Sequence, residues 1–156
     1  MDAKPTNPKD LIGMKKLPLH LVPDTMSVFA SLSFLEGALK YGMFNWREMG
    51  VRFSVYDAAL MRHRAKLRAG EWADKDTKIP HLASMLACLA IIADSHMCGN
   101  LVDDRPPAQP ALAAEIDCLG DAIKHLQELF KDCSPHQYTV ADGPAVETPK
   151  QAIWVP

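Results

Sequence analysis

The stretch PHLASMLACLAIIADSHM, from Pro80 to Met97, decides the architecture. Leu82, Met85, Leu86, Leu89, Ile92 and Ala93 recur at helical spacing along one side of it. Ala83, Ala87, Ala90 and Ile91 leave little polar surface elsewhere. A helix that is apolar nearly all round belongs in the middle of a bundle or at a subunit interface. Gly99 supplies its stop. The longest unbroken apolar run, Leu86 to Ala93, falls far short of the ~18 residues of a membrane span, so a membrane is not expected among the partners.

Working outward from this helix, a second one is expected upstream, starting after Ser54 and ending at Gly70. Ser54-x-x-Asp57 has the form of a capping box, with Asp in place of the usual Glu or Gln. Tyr56, Leu60, His63 and Leu67 form its inward stripe. A polar turn, Glu71 to Ile79, joins the two helices. Further upstream, Asp24 to Tyr41 reads as a helix with Asp24 as N-cap, an apolar stripe of Val28, Leu32, Leu35 and Leu39, and Gly42 as its stop. The loop from Met43 to Phe53 contains Asn45-Trp46-Arg47. Before Asp24, four prolines predict an extended or turned arm, and Lys4, Lys9, Lys15 and Lys16 either solvate it or let it fold over an anion.

Downstream, Asp103 to Pro110 is a proline-rich linker, followed by a helix from Ala111 to about Lys131. Its Leu112, Ile116, Leu119, Ile123, Leu126 and Phe130 repeat with the 4–3 spacing of a coiled-coil seam. Gly120 weakens that helix by about 1 kcal/mol relative to Ala. From Cys133 onward four prolines and little pattern predict a flexible tail. No segment has a strand signal, and there is no internal repeat. The expected fold is all-α: a catalytic helical core with its N-terminal arm (1–106), an amphipathic helix packing on the core or on a partner subunit (107–132), and an extended tail (133–156).

The chain has 156 residues, 48% apolar and 23% charged, which suits one globular domain. A net charge of -2 is wrong for a general nucleic-acid binder, though a nucleotide needs only a local cluster of Lys and Arg. Cys88, Cys98, Cys118 and Cys133 form no C-x-x-C pair and are expected as reduced thiols. The N-terminus has no apolar signal-peptide region, so a cytoplasmic setting is expected.

Four places carry polar groups that a plain bundle does not need. Glu36 and Lys40 are spaced as an i, i+4 ion pair, and Glu36 borders the apolar stripe, where a carboxylate can enter a cleft between helices. His63 interrupts the inward stripe as a core histidine, a metal ligand or a general base, with Arg62 beside it in reach of a phosphate. Glu71-Trp-Ala-Asp74, followed by Asp76 and His81, brings two hard oxygen ligands within reach of one Mg²⁺ or Mn²⁺ if the segment is tightly turned. Asn45-Trp46-Arg47 offers a fork for phosphate and a ring for stacking. Asp57 and Asp94 are further candidates. There is no Gly-rich phosphate loop and no G-x-S-x-G elbow. Carboxylates, histidines and cations on helices suit metal-assisted attack of water on a phosphate.

Asn7-Pro8-Lys9-Asp10, Ile12-Gly13, Gly37-Ala38-Leu39-Lys40-Tyr41-Gly42, Asn45-Trp46-Arg47, Asp57-Ala58, Arg62-His63, Gly70-Glu71 with Asp74, His81 and Asp103-Asp104-Arg105-Pro106 together resemble the phage dATP/dGTP diphosphohydrolase family, whose members include MazZ-type (d)GTP pyrophosphohydrolases. The wider relatives are MazG-like all-α NTP pyrophosphatases. The resemblance spans roughly residues 7–106. It implies a four-helix-bundle fold, a homo-oligomer (dimer or tetramer), Mg²⁺ or Mn²⁺, and cleavage of dGTP, with dATP as a second candidate substrate, to monophosphate and pyrophosphate in phage nucleotide metabolism, within the host cytoplasm.

On that reading Glu36, Glu71 and Asp74 hold metal, while His63 and His81 are supporting ligands or a general base. Lys40, Arg47 and Arg62 bind phosphate, and Asn45 and Trp46 contact the nucleoside. The chain departs from the broad MazG pattern, in which Glu-x-x-Glu precedes Glu-x-x-Asp, because Ser33 stands three residues before Glu36. It also has Thr77-Lys78-Ile79-Pro80 where the nearer family is expected to have Ser-Gly. The alternatives are an HD-type triphosphohydrolase, against which the absence of an adjacent His-Asp pair counts, and a non-catalytic helical module that dimerises through the 112–130 seam.

Overall fold

The computed structural model describes residues 7–13 and 15–143. Lys4 of the expected arm and residues 144–156 of the expected tail lie outside them. Six helices follow in order: α1 (Pro8–Gly13), α2 (Asp24–Tyr41), α3 (Asn45–Glu48), α4 (Phe53–Arg68), α5 (His81–Met97) and α6 (Pro110–Leu129). The fold is all-α. The proline-rich arm is more regular than its composition predicts, because Pro8 opens α1, where a missing N–H costs nothing.

α5 is the centre. α2 and α4 each pack along it, and among the described residues the buried helical positions, His81, Ala83, Ser84, Ala87, Cys88 and Ser95, all belong to α5. The central position follows from its nearly all-apolar surface. The deepest positions are nevertheless the small ones, while Leu89 is exposed. Small residues let two neighbouring helices approach one helix from different sides.

On α4 the inward stripe is as expected: Tyr56, Leu60, His63 and Leu67 are all half-buried, as are Phe53 and Ala59. On α2 it is not. Leu35 and Leu39 of the expected stripe are 59% and 81% exposed, and Val28 is also exposed. The half-buried positions include Phe29, Ser33, Glu36 and Gly37, about a third of a turn round the helix from that stripe. That side forms one wall of a pocket against α5, and Val28, Leu35 and Leu39 are left outside while Leu32 stays half-buried.

Gly42, Gly70 and Gly99 end their helices with positive φ, as helix stops do. The capping box at Ser54 does not form. α4 begins one residue earlier, at Phe53, and both the backbone amide and the hydroxyl of Ser54 donate to Asp104, at 2.8 and 2.6 Å. Asp104 is in reach because Val51–Arg52 and Leu101–Val102 pair as two short parallel strands, β1 and β2, which fasten the start of α4 to the end of α5. Two-residue strands carry no alternation, so local pattern does not reveal them. α6 stands apart. Its residues are all exposed, and it forms no substantial packing with the other helices. One chain thus supplies three packed long helices, and the fourth does not join them.

Candidate active site

α2 and α4 flank α5 without packing closely on each other, and the space between them is a cavity of about 560 Å³. Glu36 and Lys40 reach it from α2, Asn45 and Trp46 from α3, His63 from α4 and Asp74 from the 70–80 turn. Ser84, Ala87, Cys88 and Ile91 of α5 form part of its lining. Six of the ten expected site residues therefore share one cavity.

His63 lies directly over the start of α5. Its Nδ1 is 2.9 Å from Nδ1 of His81, so one ring donates and the other accepts. His81 is fully buried. Its Nε2 lies 3.3 Å from a Glu71 carboxylate oxygen, near enough for charge attraction but not aligned as a hydrogen bond. A line of groups, Glu71–His81–His63, thus runs from the turn into the cavity. Burial, then the neighbouring His81 and Lys66, pushes the His63 imidazole below its ordinary pKa. At neutral pH it is an uncharged base.

The 70–80 turn is built by its own backbone. Asp74 N–H donates to the Ile79 carbonyl, His81 N–H donates to that of Trp72, and Ala73 and Pro80 form an antiparallel bridge. One Asp74 oxygen accepts from the amides of Asp76 and Thr77 at 3.0 and 3.2 Å. The Thr77 and Asp76 amides hold its carboxyl down to about 2. Lys78 sits in the left-handed region at φ 61°, within the segment where a Ser-Gly pair was expected.

Between the two carboxylates stands Lys66, with its ammonium 3.3 Å from Glu71 and 3.5 Å from Asp74. Burial opposes ionisation of Glu71, but contacts from His81 and Lys66 outweigh it and hold its carboxyl below the usual range. Lys66 was not expected as a site residue. The signal was present, since it follows His63 by three positions and so shares its helical face. Glu36 is paired with Lys40 through a short contact at the cavity rim.

The donor chemistry, with Glu36, Asp74 and Asp76 around the cavity and Glu71 behind it, suits a hard divalent cation. The donors do not form a ready-made cage. Among the described residues no three His, Cys, Asp or Glu side chains are grouped to hold an ion, and Lys66 takes the place between Glu71 and Asp74.

Two expected phosphate ligands are outside this cavity. Arg47 forks onto Asp94 at 2.8 and 3.0 Å, and its carbonyl accepts from the Asn100 side chain. Arg62 is exposed on α4 and is not part of the cavity wall. Trp46 does line the cavity. Its indole N–H donates to Asp94 at 2.5 Å, and it touches Phe34 and Phe44 at ring-centroid distances of 5.4 and 5.6 Å. Asp94 therefore fixes both the Trp and the Arg of the Asn-Trp-Arg motif.

A family model described as dATP/dGTP diphosphohydrolase, N-terminal, matches residues 6–105. The chain belongs to the dATP/dGTP diphosphohydrolase family. The match includes α2 to α5, both strands and every residue of the cavity, and it ends before α6. No curated protein and no solved structure matches the chain. The family's description names the hydrolysis of purine deoxynucleoside triphosphates, and no helix among the described residues is long and apolar enough to cross a membrane.

Proposed function

We propose that the chain hydrolyses dGTP, and dATP, to the deoxynucleoside monophosphate and pyrophosphate, in phage nucleotide metabolism in the host cytoplasm. The observation that carries this is the single cavity where an aromatic wall, a rim lysine, two carboxylates and an uncharged imidazole converge: Trp46, Lys40, Glu36, Asp74 and His63. Its 560 Å³ lies within the range of small-molecule sites.

Each role follows from position. Trp46, held by Asp94, offers a fixed surface to a purine, and Asn45 beside it can hydrogen-bond the nucleoside. Lys40 and Lys66 leave their carboxylate partners for the more highly charged triphosphate, and Arg62 and Arg47 lie further out as auxiliary cations. With Nδ1–H of His63 donating to His81, Nε2 of the neutral His63 ring is left as the acceptor that takes the proton of the attacking water. The water oxygen bonds to the α-phosphorus, the bond from that phosphorus to the bridging oxygen breaks, and pyrophosphate departs with its charge facing the lysines. Once Lys66 and Lys40 have moved to phosphate, Glu36, Glu71 and Asp74 would hold Mg²⁺ or Mn²⁺. Such an ion, when bound, offsets phosphate charge and lowers the pKa of water.

The test is incubation of the full chain with each of the four dNTPs and Mg²⁺ or Mn²⁺, with products separated by ion-exchange chromatography. Monophosphate and pyrophosphate from dGTP and dATP are expected. Deoxynucleoside and triphosphate would mark an HD-type reaction instead, and no turnover with any combination would contradict catalysis.

A further inference from the structure

We propose that α6 pairs with α6 of a second copy of this chain as a parallel, in-register two-stranded coiled coil. The pairing is independent of the reaction proposed above.

The first observation is that, among the described residues, nothing covers the apolar face of α6. Six large side chains, at 112, 116, 119, 123, 126 and 130, are between 47% and 62% exposed along one stripe. A 20-residue helix that contains a glycine is marginal in water without packing. Away from the stripe the surface is polar and solvent-exposed: Asp121 pairs with Lys124 at 3.1 Å, and Glu128 pairs with Lys131, just past the helix end, at 2.7 Å. The helix is therefore amphipathic with one face unpartnered.

The second observation is which residues form the stripe. Reading the 4–3 spacing as a heptad puts Leu112, Leu119 and Leu126 at d and Ile116, Ile123 and Phe130 at a. β-branched residues at a with Leu at d favour two parallel strands, and no polar residue interrupts the seam. The flanking positions agree with self-pairing. In a parallel pair Glu115 lies across from Gly120 of the other copy, and Ala122 across from Gln127, so no like charges meet. Burying both stripes removes on the order of 1,000 Å² from water, the lower bound for a specific interface. The matched family region ends at residue 105, so the dimerising helix lies beyond the catalytic family domain and is joined to it by the proline-bearing segment at 103–109.

Cys133 reports the geometry. It falls at the next d position just past the helix and is a free, exposed thiol. In a parallel pair it meets its own copy, whereas in an antiparallel pair the two thiols lie at opposite ends.

Sedimentation analysis of the full chain should give twice its 17.2 kDa mass. The double variant Leu119→Asp/Ile123→Asp should weaken association roughly a hundredfold, since it buries charge at adjacent layers. Mild oxidation of the unmutated chain should yield a cross-linked dimer whose mapped disulfide is Cys133–Cys133, absent from Cys133→Ser. A monomeric wild type overturns the proposal. So does a dimer that keeps its affinity in the double variant, because association would then lie elsewhere, for example over the apolar groove lined by Met26, Phe34 and Leu86. A dimer with no link through Cys133 overturns the parallel orientation.

Discussion

The α4–turn–α5 region and α6 use opposite means to make a helix stable. In the first, the tightly buried groups include His81, Ser84 and Ser95, and helix and turn are joined by polar contacts around a cavity. In the second, the apolar repeat is the most regular in the chain and none of it is buried. An apolar stripe therefore says that a face wants cover, not that its own chain provides it. The exposed leucines of α2 teach the same lesson, because there the inward face was given to Glu36 and Ser33.

Two histidines put the sharpest edge on this comparison. His81→Ala removes a fully buried ring and leaves His63 Nδ1 without its partner, so it should lower unfolding stability by about 3 kcal/mol. His125→Ala, on exposed α6, should change it by less than about 0.5 kcal/mol. Urea unfolding of the two variants checks this, and equal effects would break the contrast between the regions.

Backbone effects come next, and each region has one. Lys78 pays for a left-handed conformation inside the turn, so Lys78→Gly should raise stability by about 1 kcal/mol. On α6, a Cβ added at Gly120 meets nothing within 4 Å, so Gly120→Ala should stabilise that helix by nearly 1 kcal/mol. Thermal unfolding followed by circular dichroism separates the two. The Lys78 change should move the main transition, and the Gly120 change should mainly raise helicity.

The smallest effect is a pH dependence at the α4 cap. The hydroxyl and then the amide of Ser54 hold the Asp104 carboxyl below its ordinary range. A carboxylate lowered on folding adds stability in full above its unfolded pKa, near 4, and loses it as pH falls through the lower folded value. The melting temperature should therefore drop more steeply in acid for wild type than for Asp104→Asn. Parallel curves would show that the bond from Ser54 to Asp104 does little.

Much of this was legible in the chain. The all-α class, the central place of α5, the stops at Gly42, Gly70 and Gly99, and the inward stripe with His63 follow from local pattern, which is what a single sequence records best. The placement of Glu36, Lys40, Asn45, Trp46, His63 and Asp74 around one cavity was suggested by residue type and family resemblance together. What stayed hidden depends on chain segments brought together from a distance. Asp104 caps a helix that starts 51 residues earlier, at Phe53, and Asp94 captures Arg47 and Trp46 across 47 and 48 positions. Lys66 was legible in principle from its spacing to His63, but its place between Glu71 and Asp74 needs the turn's actual path.

Glu36 gives the most direct test of the cavity as the catalytic site. It lines the cavity and its described side-chain partner is Lys40, so changing it should leave packing untouched. Steady-state turnover of dGTP by Glu36→Gln, beside an unchanged circular dichroism spectrum, is expected to fall by about a hundredfold or more. Turnover within a factor of about two of wild type would place the chemistry elsewhere.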